Sequence, residues 1–488
     1  MDGPRYLESM MQMNKQVFIN GERIESYWDH PSLTPALNCI LSTYDLAADD
    51  HLMPEIHRLI KAQSRLTPKP INRFLHVIQT SDDLMNRIKL QRTLMRYTGG
   101  CFGSRCVAGA LINPLWKSTW ELNHGDPNSP YHDRFKTWLQ TAQENDWVVM
   151  GCVTDPKGDR SLPPHQQPDP DMYVRIVDKN QEGITINGAK VQQSGAPLAH
   201  ELLLVPTRAM GPDDADWAVS VAVPADAQGI YYVNDTACSN AKFTAMDPAD
   251  IGNARYGMHQ STHVLFDHVF VPWERVFLCG EHQVTADLVK RFSDFQRLAS
   301  CACRCGYIDL CMGAADVMAD YNGVPQAAHI KEKLIDMSIS TETIHAIIAG
   351  AVALSETSES GIVCPETLSV NAAKLYMTDA ILKAGQTLYQ IAGGICTTRP
   401  SSTDLALPQV GELLAKYHKG REGVTVLNRL KMARLAETLS GLSSIIPLLS
   451  SMAAGPPATQ RLNFKIHTDF NRNREAAKRL AGISDDAP

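Results

Sequence analysis

Residues 171–195, DMYVRIVDKNQEGITINGAKVQQSG, mark the point at which the character of this sequence changes. The stretch contains short runs of β-favouring residues, which glycine, asparagine and aspartate interrupt. Similar runs recur in HELLLVPTRAM (200–210), WAVSVAVPADAQGIYYV (217–233) and THVLFDHVFVPWERVF (262–277). Together these segments predict a β domain of about 130 residues.

Helical patterns lie on both sides of this β region. Before it, apolar residues recur at helical spacing between about residues 31 and 143. After it, patterns at 296–320, 324–355 and 367–391 exceed the length of an average helix and are typical of a bundle. We therefore predict an α+β chain in three parts, which are an N-terminal helical domain (1–143), a central β domain (144–284) and a C-terminal helical bundle (285–488).

The composition excludes several classes of protein. Of the 488 residues, 44% are hydrophobic and 20% are charged, with a formal net charge of −7, which is typical of a soluble globular protein. No basic stripe favours nucleic acid or an anionic membrane surface as a partner. The first residues lack the apolar run of a secretory signal, and no run reaches the roughly 18 apolar residues of a membrane span. We therefore expect a cytoplasmic protein whose cysteines stay reduced.

Three motifs carry a resemblance to a known family. They are VTDPKGDRSLPP (153–164), PDPDMYVRIVDKNQEGITINGAKVQQSGAPLAHELLLVPT (168–207) and MGAADVMADYNG (312–323). Over most of its length, the chain resembles the 4-hydroxyphenylacetate 3-hydroxylase and 4-hydroxybutyryl-CoA dehydratase family, and it is more similar to the dehydratase branch. The resemblance implies an acyl-CoA dehydrogenase-like fold, FAD where the β domain meets the helical bundle, and assembly as a homotetramer or homodimer.

The resemblance implies that the loop at 153–164 binds FAD. Its candidate cofactor-binding residues are Thr154, Asp155, Lys157, Arg160 and Ser161. The hydroxyls can donate and accept hydrogen bonds, and Lys157 and Arg160 offer cationic donors to a pyrophosphate or to flavin carbonyls. The alternative is a proline–glycine turn whose charges are solvated.

Two further segments resemble flavin-contacting segments of the family. Gln193, Ser194 and Gly195 end a predicted strand where relatives hold the isoalloxazine ring, and a plain polar turn is the alternative. Gly393 and Gly394 lie in QIAGG, which is similar to a segment that meets the flavin across a subunit boundary. A helix C-terminal cap is the alternative for these two glycines.

The cysteine-rich stretch ASCACRC (299–305) raises the question of a metal site. In the dehydratase branch, the resemblance implies a four-iron, four-sulfur cluster held by two cysteines of the first domain and by a histidine and a cysteine of the bundle. The matching positions here are Cys101, Cys106, Gln296 and Cys303. The first pair is spaced one residue wider than the family pattern, and a glutamine amide is a poor iron ligand compared with imidazole. We therefore predict no metal site and no iron–sulfur cluster, and we expect Cys301, Cys305 and Cys311 to be buried.

The catalytic residues of both branches are largely missing. The dehydratase positions of a tyrosine and two glutamates fall here on Ser300, Ser261 and Ser450. Of the hydroxylase set, an arginine matches Arg105, whereas a tyrosine and a histidine fall on Gly109 and Gly151. The resemblance therefore implies a flavin scaffold without either known set of acid–base groups.

We expect an FAD-dependent oxidoreductase that works without an iron–sulfur cluster. Its small organic substrate is expected between the flavin and three candidate catalytic residues, Arg105, Gln296 and Ser300. Monooxygenation is favoured over dehydrogenation, because an α,β-dehydrogenase needs a glutamate base and no candidate stands out. A redox-neutral dehydratase or isomerase and a non-catalytic flavoprotein are the alternatives. A separate flavin reductase remains open as a partner.

Overall fold

The computed structural model describes residues 1–236, 244–444, 446 and 453–483. The helices are α1 (Gly3–Gln12), α2 (Thr34–Ala48), α3 (Pro54–Ile60), α4 (Ser81–Thr98), α5 (Gly103–Gly125), α6 (Tyr131–Glu144), α7 (Thr285–Tyr321), α8 (Ala328–Ala353), α9 (Thr367–Ala392), α10 (Ile395–Thr398), α11 (Ser402–Leu405), α12 (Gly411–Tyr417), α13 (Val426–Ser440), α14 (Pro457–His467) and α15 (Phe470–Leu480). Within these residues, no helix combines the length and the apolar character that crossing a bilayer requires.

The strands are β1 (Gln16–Ile19), β2 (Glu22–Ile24), β3 (Lys61–Gln63), β4 (Pro70–Asn72), β5 (Val149–Cys152), β6 (Arg175–Lys179), β7 (Gly183–Lys190), β8 (Glu201–Leu204), β9 (Val219–Pro224), β10 (Ile230–Asn234), β11 (Thr262–Pro272), β12 (Val276–Cys279), β13 (Glu356–Thr357) and β14 (Val363–Cys364). They form a six-stranded sheet, β2-β1-β10-β11-β7-β6, a four-stranded sheet, β12-β9-β8-β5, and two hairpin-like pairs. Helices and strands therefore occur together in one chain, and the predicted α+β class is confirmed.

The four-stranded sheet is covered on both faces. Leu203 of β8 belongs to the core shared with the helices, whereas Leu202 and Leu204 belong to the core between the two sheets. This alternation arises because successive side chains of a strand point to opposite faces. β5 lies at the edge of the same sheet and is buried along its whole length. The predicted cofactor loop therefore leaves the sheet from a buried strand.

The amino-terminal segment contributes strands to the six-stranded sheet. β1 pairs in parallel with β10, and β2 pairs with β1. The predicted helical domain (1–143) rested on helical spacing from about residue 31 onward and gave no sign of these strands, because four and three residues are too few to show an alternating pattern. The chain from Thr34 to Glu144 is mainly helical.

Helix α7 is 37 residues long and forms the centre of the helical bundle. It packs against α4, α5, α8, α9 and α13. A side chain at Gly306 would collide with the backbone of α4, so this glycine lets the two helices approach closely. The predicted burial of Cys301, Cys305 and Cys311 is confirmed, because none of the three has exposed surface.

The end of α4 sets the position of the next loop. The helix begins with a capping box between Thr80 and Asp83, and it ends at Gly99, whose φ of +61° is the left-handed conformation that glycine adopts most readily. The chain then turns into α5 within three residues, and this short turn carries Cys101. Helix termination therefore fixes the place of a predicted site residue.

Candidate functional site

The loop that follows β5 is anchored by a buried ion pair. Lys190 Nζ lies 2.5 Å from Asp155 Oδ1, and both side chains are 3% exposed. Lys190 also donates to the carbonyls of Val153 at 3.0 Å and Val205 at 2.8 Å. Burial raises the pKa of Asp155, and the nearby Lys190 ammonium opposes this rise. The pattern predicted a cofactor contact for Asp155, whereas the structure directs its carboxylate to Lys190, where it holds the loop in place.

Beyond this ion pair the loop turns outward. Gly158 has a φ of +53°, and a Cβ at this position would collide with the amide of Gln167. Gln167 accepts the N–H of Asp159 at 3.0 Å and donates to the carbonyl of the same residue at 2.8 Å, which fixes the turn. Three predicted cofactor-binding residues are exposed on this turn: Lys157, Arg160 and Ser161. Two cations on a fixed turn are suited to receive a phosphate group.

A second polar turn, at 193–195, contacts this loop. Gln193 is buried, and its Nε2 lies 3.4 Å from the carbonyl of Thr154, to which it donates. Gly195 has a φ of +73° and donates its N–H to Gln260 Oε1 at 3.0 Å. The structure therefore brings together two segments that the sequence predicted to share one cofactor.

Ser194 connects this turn to a buried histidine that no sequence motif marked. Ser194 Oγ lies 2.9 Å from His259 Nε2. Burial of His259, with a smaller contribution from Arg304, lowers its pKa to about 4. The imidazole is therefore neutral at neutral pH, and among the described residues its Nδ1 has no hydrogen-bond partner. Sequence patterns did not reveal His259, because the contact joins residues 65 positions apart.

Four cysteines, two of them near the start of α5, influence one another electrostatically. Cys101 and Cys106 interact electrostatically with each other and with Cys303 of α7. Cys39 of α2 interacts with Cys101 and Cys303, and its Sγ lies against Gly100. Burial raises the pKa of all four thiols, that of Cys106 to about 12, so they are protonated at neutral pH. The resemblance indicated three of these residues, whereas Cys39 had no signal in the sequence.

A buried guanidinium lies beside these thiols. Arg304 Nη1 donates to Cys303 Sγ at 3.1 Å. Burial lowers the pKa of Arg304, but the neighbouring Cys303, Cys101 and Cys106 outweigh burial, and the pKa is raised above its ordinary value. In the part of the chain that the structure describes, no three His, Cys, Asp or Glu side chains are arranged to hold a metal ion. The thiol group, defined as Cys39, Cys101, Cys106 and Cys303, is thus accompanied by a fixed positive charge.

Gln296 and Ser300, two of the predicted catalytic residues, share one stripe of α7 with Cys303. Gln296 is half-buried, and within the described ranges its Oε1 has no hydrogen-bond partner. Ser300 is also half-buried, and its Oγ donates to a carbonyl one turn earlier at 3.3 Å. The two other serines at dehydratase catalytic positions are Ser261, which is half-buried, and Ser450, which lies outside the described residues. Gln296 therefore offers an unused acceptor near the thiol group.

Arg105, the third predicted catalytic residue, has a different environment. Its side chain is 1% exposed, its Nη1 lies 3.4 Å from Asp146 Oδ1, and its guanidinium lies 4.3 Å from the centre of the Tyr44 ring. No hydrogen bond or ion pair joins it to Gln296 or Ser300 among the residues described. In the described part of the chain, the Nε and Nη2 of Arg105 have no hydrogen-bond partner, so Arg105 remains a predicted catalytic residue alongside Gln296 and Ser300.

Gly393 and Gly394 lie at the carboxyl end of α9. Gly393 has a φ of +78° and donates its N–H to the carbonyl of Tyr389 at 2.9 Å, so it caps the helix. Among the described residues, no heavy atom would lie within 4 Å of a Cβ at either glycine. Gly393 therefore caps α9, and the contact of both glycines with a neighbouring chain's cofactor stays a prediction.

The two sheets, the long central helix and the polar turns beside them define a chain with the acyl-CoA dehydrogenase-like fold. A glutaryl-coenzyme A dehydrogenase structure shares this fold at a TM-score of 0.53 and 13% identity, covering 94% of this chain and 93% of that chain. The chain belongs to the 4-hydroxyphenylacetate 3-hydroxylase family, whose N-terminal model matches residues 2–278 and whose C-terminal model matches residues 285–482. The fold and the family expected from the sequence are confirmed.

Relatives from both branches of the family match the whole chain. The 4-hydroxybutyryl-CoA dehydratase/vinylacetyl-CoA-Delta-isomerase of Clostridium aminobutyricum is 36% identical, and the match covers 99% of each chain. The structure of an oxygen-tolerant archaeal 4-hydroxybutyryl-CoA dehydratase from N. maritimus has a TM-score of 0.94 at 36% identity, covering 100% of this chain and 96% of that chain. The oxygenase component of 4-hydroxyphenylacetate 3-monooxygenase, solved with FAD, has a TM-score of 0.86 at 21% identity and 98% coverage of both chains.

Proposed function

We propose that this protein is an FAD-dependent oxidoreductase that acts on a small organic substrate without a four-iron, four-sulfur cluster. The observation that carries the proposal is the contact of Gln193 with Thr154, which joins the two-cation loop at 153–164 to the polar turn at 193–195. These are the two segments that, by resemblance, hold the cofactor. The oxygenase structure solved with FAD has the same fold, which supports this assignment.

The residues fit FAD. Lys157 and Arg160 are exposed cations on a fixed turn, and they would hold the pyrophosphate. At the other segment, a Cβ on Gly195 would lie 3.2 Å from the Ser104 side chain, so this position favours glycine, and Gln260 holds the Gly195 N–H in place. When bound, FAD supplies hydride transfer or, in its reduced form, oxygen activation.

The residues do not fit a four-iron, four-sulfur cluster. Gln296 takes the place of an imidazole ligand, and an amide oxygen is a poor donor to iron in such a cluster. The guanidinium of Arg304 is directed at Cys303, the one thiol that α7 supplies to this set. Since Cys101 and Cys106 are also spaced one residue wider than the family pattern, we derive no catalytic step through a cluster.

The side chains near the 193–195 turn and on α7 can act in proton transfer without a carboxylate. His259 is neutral at neutral pH, and its Nε2 shares a hydrogen bond with Ser194. Its unpartnered Nδ1 is available to accept a proton, and Gln296 Oε1 is available to accept a hydrogen bond from a substrate hydroxyl. An imidazole, an amide and hydroxyls favour monooxygenation over α,β-dehydrogenation, because the latter relies on a carboxylate base.

The assembly and the source of electrons complete the proposal. We infer a homotetramer or homodimer in which the open surface at Gly393 and Gly394 meets the cofactor of a neighbouring chain. A separate flavin reductase is the proposed supplier of reduced flavin. The oxygenase component of 4-hydroxyphenylacetate 3-monooxygenase is named as one component of its system, which supports this arrangement.

Absorbance spectroscopy of the purified protein tests the proposal. We expect an oxidised flavin spectrum that a reductant bleaches under anaerobic conditions and that oxygen restores. Protein that neither carries flavin nor binds added FAD would contradict the proposal. A flavin that reacts with no oxidant would instead favour the non-catalytic flavoprotein.

A redox-neutral dehydratase or isomerase is the second candidate function. One observation favours it: Cys101 and Cys303, which the resemblance assigns to a cluster together with Cys106, lie close enough to Cys106 to raise its pKa. The 36% identity to a dehydratase over 99% of the chain points the same way. Iron content separates the two candidates, because only the dehydratase candidate calls for a cluster at these thiols.

A further inference from the structure

A groove separate from the two cofactor turns lies between α4, the segment 248–253, α7 and α13. Its volume is about 710 Å³, within the range of small-molecule sites. Gly99, at the end of α4 and two residues before Cys101, is among its lining residues. None of the residues proposed to hold FAD lines this groove. The groove is therefore a candidate site separate from the proposed FAD site.

The lining of the groove combines positive charge with an apolar floor. Its charged lining residues are Arg96, Lys431 and Arg434, and no Asp or Glu is among the described residues that line it. Its floor includes Leu310, Met432, Leu435 and Leu439. An anion would add counter-charge beside these cations, whereas a fully hydrated ion would not use the floor. The lining therefore suits an amphiphilic anion.

Arg434 is the most informative residue in the groove. It is 2% exposed, and its Nη2 pairs with Asp250 and donates to the carbonyl of Pro400 at 3.3 Å. In the described part of the chain, its Nε and Nη1 have no hydrogen-bond partner. Buried donors without a partner destabilise a folded protein, so a ligand that accepts both hydrogen bonds would bind with a corresponding gain.

The other two cations are placed to act with Arg434. Lys431 lies three residues earlier on α13, and residues at this spacing share one face of a helix. Arg96 reaches the groove from α4, with 46% of its side chain exposed and its Nε 3.9 Å from Asp309. Asp309 is more closely paired with Arg92, at 2.8 Å, which leaves Arg96 free to turn towards an anion.

We propose that this groove binds a small amphiphilic anion, with its carboxylate or phosphate at the three cations and its hydrocarbon part on the leucines. Arg434 receives the anionic oxygens through its two unused N–H groups. The hydrocarbon part covers Leu310 and Leu435. The proposal is independent of the flavin assignment, since none of the proposed FAD ligands takes part.

Calorimetric titration of the full-length protein with three eight-carbon probes tests this site. Octanoate and octyl phosphate carry the two kinds of anion, and octanol is the neutral control. We expect at least one anion to bind about tenfold or more tightly than octanol, with an affinity that falls as salt increases. The anion that binds with the higher affinity identifies the headgroup that the groove prefers.

Three variants test whether the cations of the groove bind the anion. Lys431→Glu is exposed and should fold normally, and we expect it to weaken anion binding about tenfold. Arg434→Lys retains the charge but loses the fork of N–H groups, so binding should weaken again. Lys89→Glu, an exposed change on α4 outside the groove, should leave binding unchanged. Equal affinity for octanol, an unaffected Lys431→Glu variant, or no binding of either anion at millimolar concentration would each overturn the proposal.

Discussion

Arg304 donates from its Nη1 to the Sγ of Cys303, its neighbour in sequence on helix α7, at 3.1 Å. The arginine is buried, and the neighbouring cysteines hold its pKa above the ordinary value. A buried guanidinium beside a set of cysteines provides an environment for thiol or thiolate groups. It does not replace the imidazole that a four-iron cluster would need at the position of Gln296.

Flavin retention should depend on both polar turns. We expect the double change Arg160→Ala with Ser194→Ala to weaken FAD binding about tenfold or more, because it removes one cationic donor and one hydroxyl. The fold should survive, since Arg160 is exposed and Ser194 lies in a turn. The ratio of flavin to protein absorbance after gel filtration measures the effect. Lys136→Ala is the control, because it removes an exposed cation on α6. Equal flavin loss in the control and in the double variant would contradict the assignment of the two turns to FAD.

The buried pair of Lys190 and Asp155 should be necessary for stability. Asp155→Asn leaves the Lys190 ammonium buried without its counter-charge, which we expect to lower the free energy of unfolding by about 3–5 kcal/mol. Urea unfolding measures the difference. The paired change Asp155→Leu with Lys190→Met should recover most of the loss, because no buried charge remains. A single Asp155→Asn variant as stable as the wild type would show that the pair does not anchor the loop.

Local sequence patterns predicted secondary structure, whereas they could not predict contacts between residues that are distant in sequence. Short runs of β-favouring residues predicted strands such as β7 and β11, and the resemblance to the family indicated that Cys303 would approach the first domain. No local pattern showed that Asp155 pairs with Lys190, 35 residues away, or that Cys39 completes the thiol group. Arg105 matched a motif, but its ion pair with Asp146 depends on packing that only the folded chain defines.

Stability should fall on acidification through His259. Its folded pKa of about 4 lies below the ordinary 6.5, so the unfolded chain binds a proton in this range and the native protein does not. Stability is therefore lost as pH falls from 6.5 towards 4, by about 1.4 kcal/mol per pH unit for this one group. Urea unfolding at pH 7 and pH 5 should show a smaller decrease in His259→Gln than in the wild type. Identical decreases would mean that His259 is charged in the native protein.

Assembly and cofactor retention should be linked. Gly394 has a φ of −58°, which accommodates a side chain, and none of the residues that the structure describes lies within 4 Å of a Cβ there. Gly394→Arg should therefore leave the single chain folded but obstruct a neighbouring subunit. We expect light scattering to show a smaller assembly, and absorbance to show flavin loss in the same fractions. A monomer with full flavin occupancy would contradict the proposed shared site.

Iron content after anaerobic purification is the most direct test of the central claim, a flavin oxidoreductase without a four-iron, four-sulfur cluster. The protein should be expressed with ample iron and compared with Cys303→Ala purified in parallel. We expect bound flavin, iron far below one atom per chain in both proteins, and no cluster signal in electron paramagnetic resonance of the reduced sample. Near four irons per chain in the wild type, with a cluster signal that Cys303→Ala abolishes, would contradict the account and favour the dehydratase.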